Sequence, residues 1–391
     1  MRPGHRTLKV AHRWLGLSLG LLIALLGLTG SLLVFHREID HFVLNRDLWR
    51  LEAPAPGTSA LTLVTLAERV QAQRPNGTGF GADRPAFEGS APLGFWEESG
   101  PDGHVTYMTA ALDPATGVIR GSFAWGALPP TRANFTSVIY RLHYELFAGD
   151  VGIIVVGFVG IGTMLMIGIG LFLWWPTPGR LKQRLTLKRD ASPVRRDYDL
   201  HNVSGAWGAV ILFVVAVSGT YMVFPDQFKA GIAAVAPVTG DRPPTRPTEG
   251  AALPAVEAER AARALFPRAR YDSAALGDAS GPMNFTFREP GDPRKEHGST
   301  RVEVSRTTGQ AVIVARPANW TTADAVMRWQ FPLHNGEIFG LAGRILVFIC
   351  GLLPTVLLWT GLRLWLARRR AHQRVGARRV KGERGALLPA K

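Results

Sequence analysis

Residues 12–36 read HRWLGLSLGLLIALLGLTGSLLVFH, and from Trp14 to His36 there is no Asp, Glu, Lys or Arg. A bilayer-crossing helix needs roughly 20 apolar residues. Three further stretches lack those four residue types: Val151–Gly179, Leu200–Pro225 and Ile345–Leu362. The last is short, and it extends back through Ile338–Gly343 if Arg344 lies at the interface. Four such runs predict an integral membrane protein, mainly α, with four transmembrane helices. The first run resembles a signal peptide, but it is too long and no Ala-x-Ala-like site follows. It is expected to stay as an anchor.

The charge gives the orientation. The chain of 391 residues carries 45 Lys plus Arg against 30 Asp plus Glu, a net charge of +15. Such an excess ordinarily suggests nucleic acid. Here segments 1–13, 176–200 and 363–391 hold 21 basic and 4 acidic residues, a net of +17, and the remainder carries −2. Basic loops stay cytoplasmic. Both termini and the middle loop are therefore expected inside, with membrane lipid and no nucleic acid as partner. Cys350 is the single cysteine. That excludes an internal disulfide, a Cys-rich zinc or iron–sulfur site and C-x-x-C-H haem attachment.

The runs also repeat. From His12, the residues at +4, +17, +18 and +23 are Gly16, Thr29, Gly30 and Phe35; from His201 they are Gly205, Ser218, Gly219 and Phe224. Leu142-His143-Tyr-Glu145-Leu-Phe147-Ala-Gly149 precedes the second run, and Leu333-His334-Asn-Gly-Glu337-Ile-Phe339-Gly precedes the fourth. Asp113-Pro-Ala-Thr116-Gly117 matches Ser305-Arg-Thr-Thr308-Gly309, and a helix-like stretch Leu61–Arg74 matches Pro254–Arg268. Strands are expected at 104–112 and 300–305, and Ala236–Pro247 reads as a linker. The expected organisation is two tandem repeats, about 1–195 and 196–391, each a helix, an outer α/β domain and a helix. In segments this is 1–36 with the first span, 37–142 outside, 143–176 second span, 177–200 inside, 201–225 third span, 226–333 outside, 334–366 fourth span and 367–391 a basic tail.

Four histidines recur at equivalent places. His12 and His201 begin the outgoing helices, and His143 and His334 precede the returning ones. A pseudo-two-fold axis would pair His12 with His201 and His143 with His334. One histidine from each half, at each face, suits bis-imidazole ligation of a haem, and Gly16, Gly20, Gly205 and Gly208 leave room near the inner pair. A zinc or iron(II) site is the alternative, with Glu145 and Glu337 near the outer pair. His36 is a weaker ligand candidate, because its repeat partner is Pro225. His41, His104 and His297 read as solvated loop residues. Arg13, Arg141, Arg328 and Arg344 are candidate propionate contacts, whereas Arg195 and Arg196 read as positive-inside charge. Trp96, Trp125, Trp320 and Trp329 are candidate outer contacts or core residues. Gly157-x-x-Gly160-x-Gly162 lies inside a span, so no flavin or nicotinamide site is expected.

The segments His12-Arg-Trp-Leu-Gly-Leu, Gly27-Leu-Thr-Gly30, Trp174-Trp175-Pro176, Asp199-Leu-His201 and Leu333-His334-Asn-Gly-Glu337-Ile-Phe-Gly together resemble the PepSY-associated transmembrane family, over about residues 8 to 368. The resemblance implies PepSY-like periplasmic domains and a place in the bacterial inner (cytoplasmic) membrane, with both termini cytoplasmic. It also implies two b-type haems, ligated by His12, His201, His143 and His334, that reduce a periplasmic ferric-siderophore and release iron(II). A separate cytoplasmic reductase or a quinol would donate the electrons. The second half departs from the first at Ser305-Arg306, where the first has Asp113-Pro114. Two other readings remain at this point: a non-enzymatic PepSY-type regulatory or binding membrane protein, and a permease for metal or chelate.

Overall fold

The computed structural model describes residues 3–51, 59–101, 103–188, 190–239, 251–277 and 281–386. In chain order the main elements are α1 (Pro3–Val34), α2 (Leu63–Gln73), β1 (Thr78–Asp83), β2 (Leu93–Ser99), β3 (Val105–Leu112), β4 (Ile119–Ala124), α3 (Phe135–Glu145), α4 (Gly149–Trp174) and α5 (Pro193–Val223). There follow α6 (Ala255–Leu265), β5 (Arg270–Ala275), β6 (Met283–Arg288), β7 (Thr300–Val304), β8 (Ala311–Ala315), α7 (Thr322–Arg328), α8 (Gln330–His334) and α9 (Gly340–Ala386). Most of the linker expected at Ala236–Pro247 lies outside the described residues.

Contacts divide the chain into two compact units. One gathers the residues up to Ser31, Ala148–Val223 and those from Leu346 on; the other gathers Leu32–Phe147 and Phe224–Ile345.

The first unit is helical. Among the described residues four helices are long and apolar enough to cross a membrane: Gly4–Val34, Gly149–Trp174, Pro193–Val223 and Glu337–Arg374. At most 28% of each apolar window is buried within the protein. Helices apolar on every side with so little internal burial need an apolar solvent, which a bilayer provides. Small residues set the helix approaches, as expected where lipid removes the hydrophobic drive between helices. A Cβ on Gly27 of α1 would collide with the Gly351 carbonyl of α9 and lie 3.1 Å from Pro354. Ser31 Oγ donates to the Phe348 carbonyl at 2.9 Å. Gly160 of α4 receives the Thr220 hydroxyl of α5, and Gly208 of α5 receives Leu353 of α9.

The second unit corrects the expectation of a mainly α protein, because it is built on a large sheet. All eight strands form one antiparallel sheet in the order β4-β3-β2-β1-β5-β6-β7-β8. The join is β1 to β5, with Gly81 opposite Ala275, Ala82 opposite Ala274 and Asp83 opposite Ser273. Ala82 and Ala274 are each the fifth residue of their strand, so the register is symmetric about this pair. The small residues allow it: a Cβ on Gly81 would meet the Phe95 ring and lie 2.7 Å from the Ala274 carbonyl oxygen. Close backbone approach is what glycines in a strand signal.

The sheet core holds Phe80, Trp96, Met283, Phe285, Phe287, Val302 and Val304, covered by Val64, Leu66, Ala67 and Val70 of α2 and Ala258 and Ala262 of α6. Trp96 is thus a core residue, 1% exposed. The two matched turns take the same shape. Gly117 and Gly309 have φ of 73° and 68°. Leu61 N–H donates to the Pro114 carbonyl at 2.8 Å, and Leu253 N–H to the Arg306 carbonyl at 2.5 Å. Asp113 accepts from Thr116 N–H at 2.9 Å, and Ser305 from Thr308 N–H at 3.3 Å. Ser305-Arg306 therefore keeps the turn.

Gly149 and Gly340 open α4 and α9 with φ of 55° and 62°, and neither has an atom within 4 Å of a built Cβ. Side chains fit there, but L-residues resist this φ. Gly340→Ala is expected to cost about 1 to 3 kcal/mol, because Gly340 sits at φ 62° and ψ −147°, a region almost closed to other residues; the readout is a lower midpoint of thermal unfolding, and an unchanged midpoint would contradict this backbone conformation.

Candidate functional site

His12 of α1 and His201 of α5 face one another in the helical unit, with ring centroids 6.4 Å apart and planes at 88°. Each ring lies over a glycine. A Cβ on Gly170 of α4 would lie 3.1 Å from His12 Cε1, and one on Gly361 of α9 would lie 3.5 Å from His201 Cε1. Gly170 stands 21 residues after Gly149 and Gly361 stands 21 after Gly340. The same seat is thus made twice. His201 Nδ1 lies 2.9 Å from Thr360 Oγ1. That hydroxyl donates its proton to the Val356 carbonyl at 2.7 Å, so it accepts from Nδ1–H. The exchange fixes the His201 tautomer and leaves Nε2 with a free lone pair. Metal-bound histidines are commonly oriented this way. His12 Nδ1 is buried without a hydrogen-bond partner.

The glycines expected to leave space here take neighbouring side chains. Gly20 meets Leu358, Gly205 meets Leu357 and Gly16 meets Met166. Arg13 is exposed, 5.7 Å over the Trp14 ring. Arg195 binds Asp199 at 2.9 Å, and Arg363 binds Asp197 at 2.8 Å.

His143 and His334 meet in the sheet unit, with centroids 6.2 Å apart and planes at 61°. Each ends a helix, α3 and α8, a few residues before a transmembrane helix begins. Arg141 pairs with buried Glu145 and donates to the Gly126 carbonyl at 3.0 Å. Glu337 is 2% exposed; its Oε2 accepts from Glu296 N–H at 3.3 Å and its Oε1 has no partner. Arg344 grips Glu38 through two bonds of 2.7 and 2.8 Å and donates to the Val34 carbonyl at 2.5 and 3.2 Å. Its guanidinium is therefore committed to the end of α1. Arg328 is exposed. Among the described residues no group of three or more His, Cys, Asp and Glu is arranged to hold a metal ion. Glu145 and Glu337 thus do not extend the outer pair into a cage of protein ligands. Each pair is a set of two imidazoles, which matches a group that brings its remaining donors itself.

A family model described as PepSY-associated TM region matches residues 10–368. The chain belongs to this family. No curated protein matches it.

This PepSY-associated chain has further polar residues in its sheet unit. The expectation that His41 is solvated fails: it is 8% exposed, stacks on Trp49 at 4.7 Å and bonds the Arg37 carbonyl at 2.9 Å. His297 lies 3.8 Å from Asp83 Oδ2. His36 bonds the Leu33 carbonyl at 2.8 Å. All three histidines line one cavity of about 410 Å³, with Asp40 and Asp83. Burial pushes His297 down to about 4, helped by Arg37, and lowers His36 and His41. It pushes Asp40 and Asp83 up to about 6.

Sequence reasoning missed Gly170, Gly361, Thr360, Asp40 and Asp83. The two glycines had a signal in their equal distance from Gly149 and Gly340. Thr360 had none, because its counterpart, Ile169, has no hydroxyl.

Proposed function

We propose that the protein is a di-haem b membrane oxidoreductase that carries electrons across the bacterial inner membrane and reduces a periplasmic ferric-siderophore. The observation that carries this reading is the spacing of the two histidine pairs. An imidazole nitrogen binds a transition metal at about 2 Å, and the ring centre lies roughly 1 Å behind it, so two imidazoles on opposite sides of one metal have centroids roughly 6 Å apart. The pairs stand at 6.4 and 6.2 Å. A bound haem would supply the remaining donors and a one-electron carrier, and the histidines and the burial of the site would tune its potential.

His12 and His201 would hold the inner haem, with Thr360 presenting His201 Nε2. His143 and His334 would hold the outer one. The charge distribution supports cytoplasmic termini. The symmetric β1–β5 register, the twin turns and the twin glycine seats support descent from two tandem repeats. In this reading the outer sheet unit is periplasmic and joins the two PepSY-like halves. A cytoplasmic reductase or quinol supplies the electron. One electron converts chelated iron(III) to iron(II), which the siderophore binds weakly and releases.

The test uses purified protein reduced anaerobically and mixed with a ferric hydroxamate chelate and a chromogenic trap specific for iron(II). Reoxidation of the protein with matching colour in the trap is expected. Protein that stays reduced over minutes would refute the reading.

A further inference from the structure

The cavity of about 410 Å³ in the sheet unit falls in the range of roughly 300 to 1,000 Å³ typical of small-molecule sites. Its charge is unevenly satisfied. Two guanidiniums line it, and both are engaged: Arg37 with Glu296 at 3.2 Å and Arg84 with buried Asp272 at 2.9 Å. Three carboxyls line it, Asp40, Asp83 and Glu296. Asp40 receives only neutral donors, the Thr136 hydroxyl at 2.5 Å and the Asn45 amide at 3.4 Å. Asp83 accepts from the Ser273 hydroxyl and faces His297. Over a wider shell Asp272 is matched by Arg84 and its second partner, Arg270, and Arg294 acts on His297 and Tyr140, so the total is even and the unmet charge is local to Asp40 and Asp83.

The rest of the wall is aromatic, with Trp49, Phe123, Trp125 and Tyr140. Aromatic faces beside unpaired carboxyls suit a cation on an apolar stem. Tyr140 is one turn before His143 on α3, so the cavity wall and the outer histidine share a helix.

We infer that this cavity binds the chelate by a positively charged arm, with the charge on Asp40 and Asp83 and the stem on the aromatic wall, and that it disfavours polyanionic chelates. The identity of the ligand rests on the reductase reading above; the charge preference rests on the cavity alone. The raised carboxyls agree, because an arriving cation supplies the partner they lack. A polyanion meets two carboxyls held by neutral donors and lining guanidiniums already held by carboxylates.

The experiment is equilibrium binding to the full-length protein in detergent, read by quenching of tryptophan fluorescence and by calorimetry. The probes are redox-inert gallium(III) complexes: a trihydroxamate bearing a free ammonium arm, the same complex with that amine acetylated, and a tris-catecholate trianion. The ammonium complex is expected to bind tightest, and acetylation to weaken binding roughly 10- to 100-fold, the range for losing a charged hydrogen bond. Asp40→Asn with Asp83→Asn is expected to remove the preference for the ammonium form. Equal or tighter binding of the trianion, no effect of acetylation, or no binding of any complex would overturn the proposal. The wild-type ranking decides even if the variants fail to fold. Gallium is not reduced, so the two readings fail separately. Failed binding by protein with a normal haem spectrum sinks the cavity proposal. Normal binding by protein without haem sinks the reductase reading.

Discussion

Alanine at His143 or at His334 is expected to lower the haem content of the purified chain from two to one, and alanine at His12 or His201 is expected to remove the other. Each pair draws one imidazole from each half. If the pairs hold haem as proposed, a pair reduced to one imidazole would lose half its anchoring, and among the described residues no third His, Cys, Asp or Glu completes either group. The measurement is haem extracted per chain by the pyridine haemochrome method. His104→Ala serves as control, since that side chain is exposed. Loss of both haems in a folded His143→Ala protein would refute the two-site pairing, and retention of both would refute ligation by that residue.

Thr360→Val is expected to weaken haem retention at the His12–His201 site by roughly 10- to 100-fold, the usual cost of removing a partner that orients a metal ligand. Valine keeps the volume of a residue that is fully buried and removes the hydroxyl that accepts from His201 Nδ1. The ring can then turn, and either tautomer can form. Thr360→Ser is expected to restore retention. The readout is the rate of haem transfer to an excess of apomyoglobin, alongside the midpoint potentials of the two haems. A structural role alone would lower thermal stability without moving one potential relative to the other. Unchanged transfer and potentials in the valine variant would show that Thr360 does not orient His201.

The sequence carried the spans and the pairing of histidines because both depend on long, simple signals. An apolar run free of charge can only be a few things, and equal offsets from His12 and His201 survive any detail of packing. The single eight-stranded sheet was not legible. Its decisive contact is a pairing of Thr78–Asp83 with Arg270–Ala275, some 190 positions apart, between strands rich in Gly, Ala and Ser. Such strands carry little hydrophobic alternation, so their register is set by close approach instead.

Arg344 misled for a related reason. Its position beside the fourth span suggested a ligand contact, whereas Glu38 and the end carbonyl of α1, more than 300 positions earlier, take its donors. Asp40, Asp83 and His297 look like ordinary loop charges in one dimension. Only the fold turns them toward a shared cavity, where burial changes their acidity.

The most direct test of the haem assignment is a dithionite-reduced minus air-oxidised optical spectrum of the purified chain in detergent. A Soret band that shifts on reduction, with a sharp α band of low-spin bis-imidazole haem, is the expected result. A chain that folds, resists thermal unfolding and shows neither band after haem supplementation would contradict the account.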